Sequence, residues 1–214
     1  MFEIETIETP GLGDRSYLVT DGTVAAVIDP QRDVDRVLEI ASRRRVTITH
    51  VVETHLHNDY VTGGLDLARR TGATYVVAAD DDVEFDRHAV SDGDVLEVGS
   101  MHLRVVHTPG HTHHHMSYVV ESPDGTPQAV FTGGSMLYGA TGRTDLLGAE
   151  HTDELTHAQF RSVRRLAREL PAETEVFPTH GFGSFCSATP TSGDSSTVGE
   201  QQASNPALTM DEQR

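Results

Sequence analysis

Four short stretches of this chain carry side chains that could hold a metal ion. The first is Thr54-His55-Leu56-His57-Asn58-Asp59-Tyr60. In an extended segment alternate residues face the same way, so a spacing of two aims His55, His57 and Asp59 at one point. Imidazole suits zinc, iron, copper and nickel. Solvated loop histidines are the plainer alternative. The second stretch is His107-Thr108-Pro109-Gly110-His111-Thr112-His113-His114-His115. Pro-Gly turns the chain sharply and leaves His111 on a loop, as a ligand would be. The adjacent His113, His114 and His115 cannot all face one ion. The third and fourth are Phe131-Thr132-Gly133-Gly134 and Phe177-Pro178-Thr179-His180-Gly181, each a loop after a short apolar run. Taken alone, His180 reads as a surface or capping residue. Of the 13 histidines, His88, His102, His151 and His157 have no companion ligands and read as surface residues. Cys186 is the single cysteine.

Such loops need strands behind them. Val24–Ile28 reads as a buried strand ended by Asp29-Pro30, and residues 34–44 as a helix with Asp33 as its N-cap. Val46–Glu53 is the next strand, rich in β-branched residues. Gly63–Arg70 is a short helix stopped by Gly72, and Ala73–Ala78 a further strand. Two hairpins follow, 95–98 with 101–107 and 116–120 with 128–132. An amphipathic helix is expected from about Asp153 to Leu170, and a last strand over Glu175–Pro178. Alternation of strand and helix makes the chain α/β. Residues 1–186 are expected to form the domain. Residues 187–214, rich in Ser, Thr, Gly, Gln and acid, read as a polar tail or linker with one short helix, able to pack back on the domain.

Composition narrows the partners. Asp and Glu number 33 against 16 Lys plus Arg, a formal charge of −17. Such a surface repels phosphate backbones and argues against nucleic acid. No run of about 18 apolar residues is present, which argues against a membrane span. The first residues lack the basic region and apolar core of a signal peptide. A single cysteine allows no internal disulfide, and the cytoplasm is the expected compartment.

These motifs, taken in order, resemble the metallo-β-lactamase superfamily. ETHLHNDYVTGG is similar to its HxHxDH signature, TPGHT to its third-histidine loop, FTGG to its FTGD and PTHG to its last histidine. Gly142-Arg143-Thr144-Asp145, and Ser195 to Glu200 with Asn205-Pro206, resemble the glyoxalase II and persulfide dioxygenase branch. The wording is most similar to members in which this domain precedes a rhodanese domain. The resemblance spans about residues 3–206. It implies an αββα sandwich of two mixed sheets flanked by helices, with a metal at the edge between the sheets. In dinuclear members His55, His57 and His111 would hold the first ion, and Asp59 and His180 would help hold the second. Tyr60 and Gly134 stand where a histidine and a bridging aspartate would complete that second position. In the iron-dependent members, His55 and His111 would be joined by a carboxylate at position 134. With glycine there, Asp59 swings in, His57 completes a three-histidine site with water, or the chemistry is lost; three histidines are favoured.

Three functions remain as expectations. The leading one is oxidation of a small persulfide, such as glutathione persulfide, to sulfite with molecular oxygen at one divalent ion, Fe(II) favoured and Zn(II) the alternative. Asp59 and Tyr60 are its candidate catalytic groups, and Arg143 could steady a substrate carboxylate; an ion pair with Asp145 is the equal alternative for that arginine. Cys186 is either a small buried residue, the favoured reading, or a persulfide acceptor. The second is a zinc hydrolase of thioesters or lactones, with zinc lowering the pKa of its water. The third is a metal-binding module without turnover. A rhodanese is the expected macromolecular partner.

Overall fold

The structure is a computed structural model describing residues 2–187, 189 and 193–212. Six strands form the first sheet in the order β1 to β6: Glu3–Thr9, Asp14–Thr20, Val24–Ile28, Thr47–Val52, Thr74–Ala78 and His88–Val90. The second sheet runs β13-β10-β9-β8-β7, from β7 Val95–Val98, β8 Met101–His107, β9 Met116–Glu121, β10 Pro127–Gly133 and β13 Glu175–Pro178. Between β10 and β13 lie the small pair β11 Met136–Leu137 and β12 Ala140–Thr141. Helices α1 (Asp35–Arg44) and α2 (Gly64–Thr71) follow β3 and β4. Helices α3 (Ala149–Glu169), α4 (Val198–Ser204) and α5 (Pro206–Thr209) belong to the second half.

The period-two pattern of the strands explains the layering. On β2, Tyr17 and Val19 enter the core between the sheets while Leu18 faces the opposite layer. On β3, Ala26 and Ile28 join the inner core, and Ala25 and Val27 pack with Val37 and Leu67 of α1 and α2. The outer face of the second sheet offers Val119, Val130 and Val176 to Val163 and Leu166 of α3 and Val198 of α4. Both sheets are covered on both faces, the αββα arrangement that the motif order implies.

Several elements depart from the sequence reading for local reasons. Asp33 does not cap α1: Val34 is the N-cap, with no side-chain bond, and Asp33 pairs with Arg36 instead. Strands β1, β2 and β6 carry no expectation. β1 is an edge strand whose residues, Ile7 apart, are exposed or half-buried, so its pattern is weak; its pairing with β2, Glu3 opposite Thr20, defines it. Helix α3 begins at Ala149, one turn before the apolar stripe. Part of the polar C-terminal segment packs on the domain: Val198, Gln201 and Asn205 are buried, and Asn205 Nδ2 donates to the carbonyls of Leu137 and Ala140. Residues 188, 190–192, 213 and 214 of that segment lie outside the described residues.

Candidate metal centre

The loops that leave β4, β8 and β13 meet at one edge of the sandwich and carry the histidines. His55 and His57 follow β4, His180 follows β13, and His111 sits on the turn between β8 and β9. Helix α3 braces that turn from outside: Ser162 Oγ donates to the Pro109 carbonyl at 2.7 Å, and Gly110, at φ +145°, lies against Gln159 where no Cβ would fit. His55, His111 and His180 are fully buried. Their rings converge, with centroids 4.8 Å apart for His55 and His111, 5.2 Å for His55 and His180, and 5.2 Å for His111 and His180.

Each of these rings has one nitrogen occupied by protein, which fixes the tautomer. Thr54 Oγ1 donates to Asp29 Oδ2, so it accepts the His55 Nδ1–H at 2.8 Å. His180 Nδ1 donates to Asp14 Oδ1 at 2.9 Å. His111 Nδ1 donates to the Arg143 carbonyl at 2.7 Å. All three therefore present an Nε2 lone pair inward. The Nε2 atoms of His55 and His180 face each other at 3.2 Å. Burial first, and then four neighbouring imidazoles, push the pKa of His55 well below the usual range. The approach fits residues that would share a cation: two nitrogens bound to one ion would lie about 3.3–3.4 Å apart. The orphaned, buried His111 Nε2 fits the same explanation.

His57 is held differently. Its Nε2 lies 2.9 Å from the Tyr60 hydroxyl, 3.3 Å from Asp29 Oδ1 and 3.6 Å from Glu53 Oε2. Burial disfavours an imidazolium, but Asp29 and then Glu53 outweigh it and hold the pKa up at about 10. Its Nδ1 is buried without a partner, and a nitrogen of His57 falls within 4.8 Å of donors on His55 and His180. Carboxylate behind imidazole is the arrangement that orients a metal-ligating histidine and raises its basicity. Asp29, a non-glycine residue at φ 49°, is the hub. Its carboxylate also accepts from the Thr54 amide and the Thr54 and Thr179 hydroxyls. Burial raises its pKa, but His57 and these donors hold it below the usual carboxylate range.

The other expected residues fall as follows. Asp59 is beside His180, with Oδ2 3.4 Å from His180 Nδ1, and its carboxylate faces the Cys186 thiol. Tyr60 stacks on His57, and its hydroxyl donates to the Asp29 carbonyl at 3.2 Å while taking the His57 proton. Arg143 turns its guanidinium outward, paired to Asp145 by two bonds of 2.9 Å and resting on the Phe185 ring. Its carbonyl, not its charge, reaches the centre. His115 is buried and stacked on His55, but its Nε2 accepts from the Gly134 amide and its Nδ1 serves Thr108, so it has no free lone pair. His114 pairs with Asp81, and His113 packs against His151. Cys186 is buried beside these histidines. One donor atom each from His111, His180 and Cys186 lie within 4.8 Å of one another. Burial first, and Asp59 second, hold its pKa above the usual thiol range.

Gly134 has a steric reason. A Cβ there would lie 2.2 Å from His111 Cδ2, and one on Gly142 would lie 2.9 Å from His111 Nδ1 and 2.3 Å from the Gly134 carbonyl. The two glycines form a slot for the His111 imidazole. Asp14, Asp29 and Glu53 carried no expectation as site residues; Asp29 and Glu53 sit at strand ends, the only trace they leave in the sequence.

Comparison with known proteins agrees with this geometry. Residues 10–180 match the family model of the metallo-beta-lactamase superfamily, and the chain belongs to that superfamily. Within it, the chain is 35% identical over 190 residues to a hydroxyacylglutathione hydrolase of Methylococcus capsulatus, covering 84% of this chain and 67% of that one. It is 31% identical to a mouse hydroxyacylglutathione hydrolase-like protein, covering 76% of this chain but only 56% of the relative. A metallo-beta-lactamase structure from Staphylococcus aureus superposes with a TM-score of 0.90 at 29% identity, over 99% of this chain and 65% of that one. The structure of ETHE1 from Myxococcus xanthus gives 0.83 at 28% identity, over 99% and 87%. These likenesses place the chain beside glyoxalase II-like proteins and ETHE1. Among the described residues no helix is long and apolar enough to cross a membrane.

Proposed function

We propose that the chain oxidises a small persulfide with molecular oxygen at a single divalent metal ion, with Fe(II) preferred. The observation that carries this reading is the set of three buried Nε2 lone pairs on His55, His111 and His180, beside a position 134 that has no room for a bridging carboxylate. The His57 Nδ1 is the fourth nitrogen available. A ferrous ion would supply open coordination positions and the redox chemistry oxygen requires. The protein's own part is orientation and exclusion of water. Asp14, Thr54, the Arg143 carbonyl and the Asp29–Tyr60 pair fix the four imidazoles. Tyr60 is thus a positioning residue. Asp59 lies beside the ligands and the Cys186 thiol, placed to take a proton or hydrogen bond from substrate. Exposed Leu56, Val61 and Phe185 flank the site residues in the chain and offer apolar contact to a thiol's carbon skeleton. A rhodanese, which handles sulfane sulfur, is the fitting partner.

Thioester hydrolysis at zinc is the second reading. It is favoured by the same Asp59 carboxylate, which could orient a water, and by the names of the hydroxyacylglutathione hydrolase relatives. Iron-loaded and zinc-loaded protein should be assayed side by side. Oxygen uptake with glutathione persulfide, confined to the iron form, is the expected result. Hydrolysis of a glutathione thioester by the zinc form, without oxygen uptake by the iron form, would overturn it.

A further inference from the structure

We propose that Cys186 is a thiolate ligand of this metal, supplying the negative charge that the histidines lack. The inference rests on the single-metal reading above. Imidazole nitrogens bring no charge of their own to a buried divalent ion, and the carboxylates of Asp14, Asp29 and Glu53 stand behind the rings rather than among the donor atoms, a costly arrangement in a low-dielectric interior. No carboxylate can come from position 134, because the His111 ring fills that space. Sulfur is at hand: the Cys186 donor is within 4.8 Å of donors on both His111 and His180. Two further groups point to a ligand there. His111 Nε2 is buried without a partner, and the half-buried Asp59 carboxylate faces the Cys186 thiol.

The loop carrying Cys186 is tied to these ligands. The Arg143 peptide accepts from His111 Nδ1 through its carbonyl and donates its N–H to the Cys186 carbonyl at 2.9 Å. Gly142 bridges to Ser187 one step further along. The Cys186 N–H donates to Ser184 Oγ at 3.2 Å, and Ser184 Oγ donates to Asp59 Oδ2 at 3.1 Å. His111, Cys186 and Asp59 are therefore held in one hydrogen-bonded unit. When the metal binds, the S–H bond breaks, a metal–sulfur bond forms and the proton leaves to solvent; nothing is oxidised or reduced. Thiolate is a soft donor suited to zinc and iron, and it sets this centre apart from one built of imidazole alone.

Cobalt(II) provides the test, because a thiolate ligand gives an intense sulfur-to-cobalt charge-transfer absorption in the near ultraviolet. The full chain, loaded with cobalt, should hold one ion by elemental analysis and show that absorption. As Cys186 is the single cysteine, no other residue can produce it. Cys186→Ser should lose the band and bind cobalt more weakly, by about tenfold or more. If that variant does not fold, the wild-type spectrum decides alone. Stoichiometric cobalt without the band in wild-type protein would overturn the thiolate while leaving the histidine centre standing. Failure of wild-type protein to hold stoichiometric cobalt, zinc or iron would overturn the centre and the inference together.

Discussion

His57 and His111 belong to one centre and are prepared in opposite ways. His57 lies between two buried carboxylates and a tyrosine, with its pKa up at about 10. His111 lies in a slot between two glycines, anchored by a peptide carbonyl. There burial first, and His180 next, take its pKa down to about 3. One imidazole is positioned by charge, the other by shape. The charged side depends on a network in which each donor and acceptor must be satisfied, since the low dielectric makes an unpaired member costly. The shaped side depends on the absence of two Cβ atoms.

Breaking the charged side has the largest expected effect. Asp29→Ala strands the Thr54 amide, two hydroxyls and His57 together, and should cost about 3–5 kcal/mol, as removal of one partner of a buried charge pair does. Urea denaturation of metal-free protein measures it. A loss under about 1 kcal/mol would mean that Asp29 is not the hub.

Breaking the shaped side should cost less in stability and more in metal. Gly134→Asp drives a Cβ into the His111 ring, so it should destabilise by about 1–3 kcal/mol, the usual range for overpacking. Metal retention should fall with it, because His111 must move. A folded Gly134→Asp protein that binds metal more tightly would show that the slot can open to admit a carboxylate ligand.

Two smaller changes sharpen the contrast. Tyr60→Phe keeps the ring on His57 but removes the hydroxyl, for about 1 kcal/mol in stability and about 10- to 100-fold in metal affinity. Unaltered affinity, read by competition with a chelator, would detach Tyr60 from the centre. Arg143→Ala should leave metal content unchanged, because the peptide carbonyl rather than the guanidinium meets His111. Loss of metal from a folded Arg143→Ala protein would show that the Arg143–Asp145 pair holds the loop.

The legible and illegible parts of the molecule divide along the same line. The histidine loops could be read because each follows a short apolar strand and its residue types are unusual there. The long amphipathic helix and both hairpins were legible through their periodicity. The groups that orient the histidines were not. Asp14 is 166 residues from His180, and Asp29 is 150 residues from Thr179. A lone acid at a strand end looks the same whether it faces water or a buried imidazole. Cys186 was read as a buried residue or an acceptor; its place among the ligands depends on the Arg143 peptide, a backbone contact that no side-chain pattern encodes. Gly134 read as a missing ligand. Its packing against His111 gives it a structural role as well.

Metal content of extensively dialysed protein tests the central claim most directly. The account predicts one ion per chain in wild-type and His88→Ala protein, and none retained by folded His111→Ala. A reproducible ratio near two, or equal metal in wild type and His111→Ala, would contradict it.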